Sequence, residues 1–330
     1  MLKKKIIKKI NENFNEKSLI HDKKQIKEII NKGRISQLQN KSFTWPWFNN
    51  TKKEEIKLEN ENRCRKAMQK LYDDTKVNCI KLNPGKKLLN DDNKRRFDTK
   101  FGGVPAWPKN MKWPSYPDEP MICLAQINFG KLPKLENYPD TGILQFFTNI
   151  DYDPELCKVI YHKNIDKNNL LQQVPISTLD QNKIEDLSME GYRTFPIKGV
   201  YYPTPKIAES AYINYIDEYS IDGNFTKIND LLYKKYLKEE FGNKIPNGID
   251  DLAYKIYNEL IKYGKGCRIG GWPSFTQSDA RDKNHDILLL QIDSENGIKW
   301  SDYGVANFFI SMQNLKNKNF NDVLFTWDCV

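Results

Sequence analysis

Gly142-Ile143-Leu144-Gln145-Phe146-Phe147 is answered near the C-terminus by Gly304-Val305-Ala306-Asn307-Phe308-Phe309, with the same spacing from glycine to the paired phenylalanines. Working back from each, Leu124-Ala125-Gln126-Ile127 matches Leu289-Leu290-Gln291-Ile292, and Gly102-Gly103-Val104-Pro105 matches Gly270-Gly271-Trp272-Pro273. Three landmarks in one order define two repeat units, about 101–147 and 269–309. The Gly-Gly-X-Pro start fixes a tight turn, because glycine tolerates positive φ and a residue before proline is driven to extended geometry. The two apolar runs that follow read as strands. The strands of a unit are expected to pair, and the two units to share one core about a pseudo-two-fold axis.

Flanking segments fill in a mixed pattern. Leu2, Ile6, Ile10 and Phe14 recur at four-residue steps, and Ile26, Ile29 and Ile30 follow at helical spacing, so two amphipathic helices are expected before residue 31. Phe43, Trp45, Trp47 and Phe48 crowd around Pro46, an aromatic knot suited to stapling a segment onto a core or to docking a partner. A third helix is expected from about Asn62 to Tyr72, then a strand from Val77 to Leu82 and a turn at Asn83-Pro84-Gly85. Val159 to Tyr161 reads as a strand, and the stretches around Phe195-Pro196 and Tyr201 to Pro205 as edge strands or loop. Helices are expected at Ile228 to Phe241 and Ile249 to Tyr263. The fold class is therefore α+β, predominantly β: a basic helical extension over 1–62, then a duplicated β domain over 63–330 with peripheral helices.

The formal charge of +9 is unevenly spread. Residues 1–100 carry a net +14 and the remainder a net −5, so the basic character belongs to the N-terminal segment. This argues against nucleic acid as a partner of the body, since phosphate recognition needs a concentrated basic face. The basic arm leaves open contact with an anionic membrane surface, although its apolar face is narrow and lacks an aromatic anchor before Phe14. Six cysteines (Cys64, Cys79, Cys123, Cys157, Cys267, Cys329) show neither CxxC nor disulfide-framework spacing and read as free thiols. The opening lacks the apolar run of a secretory signal, so the cytoplasm is the expected compartment.

The motifs resemble those of the YwqG-like family of uncharacterised proteins. Lys100-Phe101-Gly102-Gly103, Trp107-Pro108 and Trp113-Pro114 carry the likeness in the first half. Gly270-Gly271-Trp272-Pro273, Asp279-Ala280-Arg281, Leu289-Leu290-Gln291-Ile292-Asp293, Trp300-Ser301-Asp302 and Trp327-Asp328-Cys329 carry it in the second. The likeness spans roughly residues 95–330. Members of that family often place a His just before the second Gly-Gly, where this chain has Cys267-Arg268. The resemblance implies a duplicated, mainly β fold, and no reaction, cofactor or partner.

Candidate sites come from side-chain groupings. Gln126, Gln145, Gln291 and Asn307 lie inside apolar strands, where each amide must find partners. They form either a ladder within the core or the lining of a groove between the copies. Gln277, Asp279 and Arg281 gather acid, base and amide groups in one loop ending near His285. Trp300-Ser301-Asp302 and Trp327-Asp328-Cys329 set carboxylates beside tryptophans, which suits either turn capping or acid–base chemistry. His21, His162 and His285 do not fall at metal-ligand spacing, and no nucleophile, phosphate-loop or dinucleotide motif is present. No metal, cofactor or catalytic residue is assigned. The reading favours a binding protein for an unknown protein or small polar ligand, with Arg268, Gln277, Asp279, Arg281, Trp300 and Asp302 as site residues. The alternatives are an enzyme using Asp302 or Asp328 as acid or base with Arg281 holding an anionic substrate, and a body tethered to an anionic surface by its arm.

Overall fold

A computed structural model describes residues 46–154, 156–187, 195–211, 234–260 and 265–330. The chain divides into two compact units, Met1–Asn60 and Glu61–Val330. Of the first, the described part is the opening half of helix α1 (Pro46–Thr75). The two helices expected before residue 31, and Phe43 and Trp45 of the aromatic knot, lie outside the described residues.

The second unit is α+β with strand dominating. Strands β1 (Val77–Asn83), β2 (Lys100–Gly102), β3 (Ser115–Tyr116), β4 (Glu119–Pro120), β5 (Ile122–Asn128), β6 (Ile143–Thr148) and β7 (Cys157–His162) come first. Helix α2 (Gln181–Leu187), strands β8 (Val200–Tyr201) and β9 (Thr204–Ser210), the helical segment 234–241 (α3) and α4 (Ile249–Leu260) follow. The chain ends with β10 (Arg268–Ile269), β11 (Ile287–Asp293), β12 (Val305–Ile310), α5 (Met312–Lys316) and β13 (Leu324–Asp328).

Two antiparallel sheets carry the architecture, one in the order β7-β6-β5-β2-β8 and one in the order β13-β12-β11-β10-β1-β9. Four strands of each match in order and in register. Gln126 faces Gln145 as Gln291 faces Asn307, and the register slips once in each hairpin, between Cys123 and Ala125 and between Leu288 and Leu290. Lys100 pairs with Gln126 as Arg268 pairs with Gln291. The turn glycines adopt the same left-handed conformation, with φ of 67° and 71° at Gly102 and Gly103 and 68° and 78° at Gly270 and Gly271.

The matched sheets share one core, in which Ile127, Leu144 and Phe146 of the first sheet cluster with Ile292, Ala306 and Phe308 of the second. Phe146 and Phe308 occupy the same register position and meet edge to face, with centroids 4.8 Å apart. Phe308 also stacks on Phe325 at 4.6 Å, and at the sheet edges the Cys157 thiol of β7 donates to Val323 O just before β13. The expectation of paired strands and a common interior is met. Each outer face carries its own small cluster, Trp107, Cys123 and Phe147 on one sheet and Phe275, Leu288 and Phe309 on the other.

Helix α1 departs from the expected span of 62–72, beginning sixteen residues earlier at Pro46. The reason is its surface: residues 53–59 are all exposed, whereas Cys64, Ala67, Met68 and Leu71 are buried at helical spacing. Only the second half carries the periodicity that reveals an amphipathic helix. Those four residues pack against Tyr236, Leu237, Phe241, Ile249, Ala253, Ile256 and Tyr257 to form a helical satellite core with α3 and α4.

Phe146→Ala and Phe308→Ala are each expected to cost about 3–5 kcal/mol in denaturant-induced unfolding. Because the rings touch, the double variant should fall short of additivity by about 0.5–1.5 kcal/mol.

Candidate functional site

Both Gly-Gly turns lift the chain out of its sheet and send it across the outer face as a strap. A strap that covers apolar side chains buries its own backbone groups, which then need partners. The strand amides supply them. Gln126 Oε1 accepts from Ala106 N at 2.8 Å, and its Nε2 donates to Arg96 O and Asp98 O. Gln145 Nε2 donates to Ala106 O and to Gln126 Oε1. On the other sheet Gln291 Oε1 accepts from Ser274 N, Gln291 Nε2 donates to Gly266 O, and Asn307 Nδ2 donates to Ser274 O. The amides thus face outward and hold the straps, and they do not line a groove between the two sheets.

The outermost strands β7 and β13 differ at the position beside the amides. His162 Nε2 meets Gln145 Oε1 at 3.1 Å, while the matching place in β13 is Asp328, paired with Val305 as His162 is with Ile143. Asp328 Oδ2 accepts from Thr276 N and Gln277 N, both at 2.9 Å, clamping the second strap. Asp328 Oδ1 and Asn307 Oδ1 are buried without a hydrogen-bond partner among the described residues. Burial raises the Asp328 carboxyl above the usual range, against the pull of its backbone donors. When protonated, it is a donor at the position from which His162 reaches Gln145.

Each turn also buries a cation beneath it. Lys100 is fully buried and ion-paired to Asp91 at 2.9 Å, and Asp91 also accepts from Val104 N and the Tyr202 hydroxyl. Burial pulls Lys100 below the usual lysine range, with Asp91 opposing it. Arg268 takes the matching position, directing its guanidinium at Ser210 Oγ and Trp272 O. It is fully buried, so its contacts hold the turn.

A concavity of about 720 Å³ opens beside the second turn. Lys76, Val77 and Asn78 line it from one side, Gly271, Trp272 and Arg281 from another, and Asp286, Ile287, Leu288 and Met312 from a third. Leu135, Glu136, Asn137, Tyr138 and Glu209 complete the wall. Trp272 anchors it: its indole donates to Thr75 O at the end of α1, and its backbone N–H donates to Ser210 Oγ. The Arg281 guanidinium lies 5.7 Å from the centre of the Trp272 ring and is held by both carboxylate oxygens of Asp279.

The remaining sequence candidates scatter. Gln277 is exposed and donates to Cys329 O. Trp300 sits in the shared core against Tyr152 and Trp327. Asp302 is 76% exposed, 4.0 Å from Lys299 Nζ, and is not among the residues lining the concavity. Of the six, Arg281 lines the concavity and Asp279 positions it. Lys76, Asn78, Glu136, Tyr138, Asp286 and Met312 went unnoticed in the sequence because they come from four separate segments with no shared motif. Trp272 could have been found, since it departs from the Val104 of the matching turn.

A second feature ties the loop after Arg281 to the α5–β13 connection. His285 Nδ1 meets Asp282 and its Nε2 meets Asp322, at 3.1 and 3.0 Å. The described residues contain no group of three His, Cys, Asp or Glu side chains able to hold a metal.

A family model matches residues 99–329. The chain belongs to the family of a domain of unknown function, DUF1963. Both matched four-strand arrays and both turns fall within the DUF1963 domain, while β1, which forms one wall of the concavity, precedes it. A search of curated proteins found no match. No helix among the described residues is long and apolar enough to cross a membrane.

The bridging histidine gives a test. Partial burial works against the charged imidazole, but the hydrogen bonds and charges of Asp282 and Asp322 prevail and raise its pKa above the ordinary value of about 6.5. A pKa raised by folding stabilises fully below the unfolded value and is lost as pH rises through the folded one. Asp282, lowered chiefly by its hydrogen bond to His285, bounds the window from below. Asp282→Asn should therefore lower the melting temperature more at pH 5.5 than at pH 8.5, read by thermal unfolding in matched ionic strength. Equal losses at the two pH values would show that His285 carries no charge in the fold.

Proposed function

We propose that the protein is a binding protein whose site is the concavity beside the Gly270-Gly271 turn. The observation that carries this reading is the open space itself, bordered by Trp272 with a clamped Arg281 beside it. A side chain held by two hydrogen bonds and a ring is ordered before a ligand arrives, which lowers the entropy cost of recognition. Neither Asp302 nor Asp328, either of which would serve as acid or base in the enzymatic alternative, is among the lining residues, and this favours binding over acid–base chemistry. The partner is a protein segment or a polar molecule.

The matched registers, the matched amide-to-strap bonds and the Phe146–Phe308 contact support descent of the two halves from a duplication, in keeping with the resemblance to the YwqG-like family. In that history the second copy acquired the site: Trp272 replaces the residue that Val104 represents, and β1 extends past the turn. The six free thiols fit a reducing compartment and support the cytoplasm as the place of action.

Site-specific photocross-linking tests the reading. A benzoylphenylalanine at position 286, in the concavity, should give discrete adducts in extract from the source cells. The same group at position 303, an 84% exposed tyrosine outside the lining, should not. Asn78→Trp, which fills the space, should remove the adducts at 286. Equal labelling at 286 and 303, or labelling that survives Asn78→Trp, would place binding elsewhere.

A further inference from the structure

The concavity is a gap in a sheet. Strand β10 runs between β1 and β11 but is only two residues long, so it pairs with β1 at Ile269 and Arg268 alone and with β11 at Arg268 alone. Both neighbours continue past its end. β1 extends through Cys79, Asn78 and Val77, and β11 through Leu290 to Ile287. At Gly270 and Gly271 the chain leaves the plane, and a side chain at Gly271 would collide with the Cβ atoms of Ser210 and Cys79 at 2.8 and 2.9 Å. The turn therefore lies over β1 and leaves the space between β1 and β11 clear of main chain. Two inter-strand spacings set that space at about 10 Å, the room one extended strand takes. In the other sheet β8 ends at Val200, opposite Gly102, so only β5 outruns the turn and no slot with two strand edges forms.

The slot's edges present backbone groups. Leu82 N donates to Cys267 O across the β1–β10 edge at 2.9 Å. Main-chain groups alternate sides along a strand, so those of Ile80 and Asn78 point the same way. At Asn78 that direction faces the slot, beyond the end of β10. On the opposite edge Leu288 O is met by the Tyr138 hydroxyl at 2.5 Å, a side chain standing in for a strand's N–H. The charges at the mouth are not balanced. Arg281 is committed to Asp279, and Lys76 lies between Asp73 and Glu209 at 3.4 Å from each. Glu136 and Asp286 line the same space and form no ion pair among the described residues.

We infer that this slot accepts an extended, basic peptide segment as an added strand, antiparallel to β1 and β11 and continuing the line of β10. The inference rests on the binding reading above and names its partner class. Main-chain bonds to Asn78 supply affinity, as in strand addition to any open sheet edge, and on the β11 side an incoming N–H takes the place of the Tyr138 hydroxyl at Leu288 O. Glu136 and Asp286 select lysine or arginine on the incoming chain.

Fluorescence polarisation with the full chain tests this, using labelled seven-residue peptides of alternating valine and lysine with blocked ends. The lysine peptide should bind at least tenfold more tightly than its glutamate counterpart, and N-methylation of alternate amides should weaken it at least tenfold. Asn78→Pro, which removes the edge donor, should abolish binding, while Asn78→Ala should retain it. If Asn78→Pro does not fold, the N-methylated peptides still give the answer. Binding indifferent to N-methylation would overturn strand addition yet leave the concavity as a site. No binding by any peptide would overturn the peptide partner, with the cross-linking result standing on its own. Self-association lost in Asn78→Ala and Asn78→Pro alike, seen by sedimentation, would put a second copy in the slot and overturn the assignment.

Discussion

A strand that stops inside a sheet must dispose of the backbone that follows it, and the rest of this structure depends on how β2 and β10 do so. Each ends in two left-handed glycines that carry the chain across the outer face of its own sheet. Buried main chain without partners costs about 1–3 kcal/mol per group. Gln126 and Gln145 on one sheet, and Gln291 and Asn307 on the other, remove that cost by bonding the strap at Ala106 and Ser274. The inner faces are thereby free to be largely apolar and to fuse into one core around Phe146 and Phe308.

The same device makes the two halves unequal. Where the neighbour of the short strand is itself short, as with β8, the sheet closes cleanly. Where the neighbour is β1, a seven-residue strand contributed from outside the matched arrays, the sheet is left with an opening. Trp272, Arg281 and the β11 edge border that opening because they follow the turn directly in sequence and in space. The opening is a by-product of mismatched strand lengths, and its chemistry is set by the residues that happen to border the mismatch.

Much of this was legible in the sequence. The Gly-Gly-X-Pro turns, the Gln-containing runs and the Phe-Phe pairs gave strand positions, pairing partners and a shared core, because local backbone chemistry and a repeat both report on neighbours close in sequence. The direction in which the amides point was not legible, since the register slip after Cys123 and after Leu288 resets the alternation that a simple period of two would predict. Nor was the opening half of α1, whose exposed residues bury no stripe. The concavity was hidden for a different reason: Lys76, Glu136 and Asp286 become neighbours only through pairing between distant segments. Trp300 misled because a tryptophan beside an aspartate looks the same in sequence whether the ring faces a ligand or, as here, Tyr152 and Trp327.

The nesting of the sheets in the chain bears on how the molecule comes into being. The sheet containing β5 and β6 draws only on residues between Lys100 and Tyr201, whereas the other takes β1 from before that block and β9 to β13 from after it. During synthesis the inner sheet can close on its own hairpins while β1, already made, waits for β9 and β10 to emerge. Until then its edges are bare and the apolar face of the finished sheet is uncovered, a period in which long-range pairing is slow and association with other nascent chains is favoured.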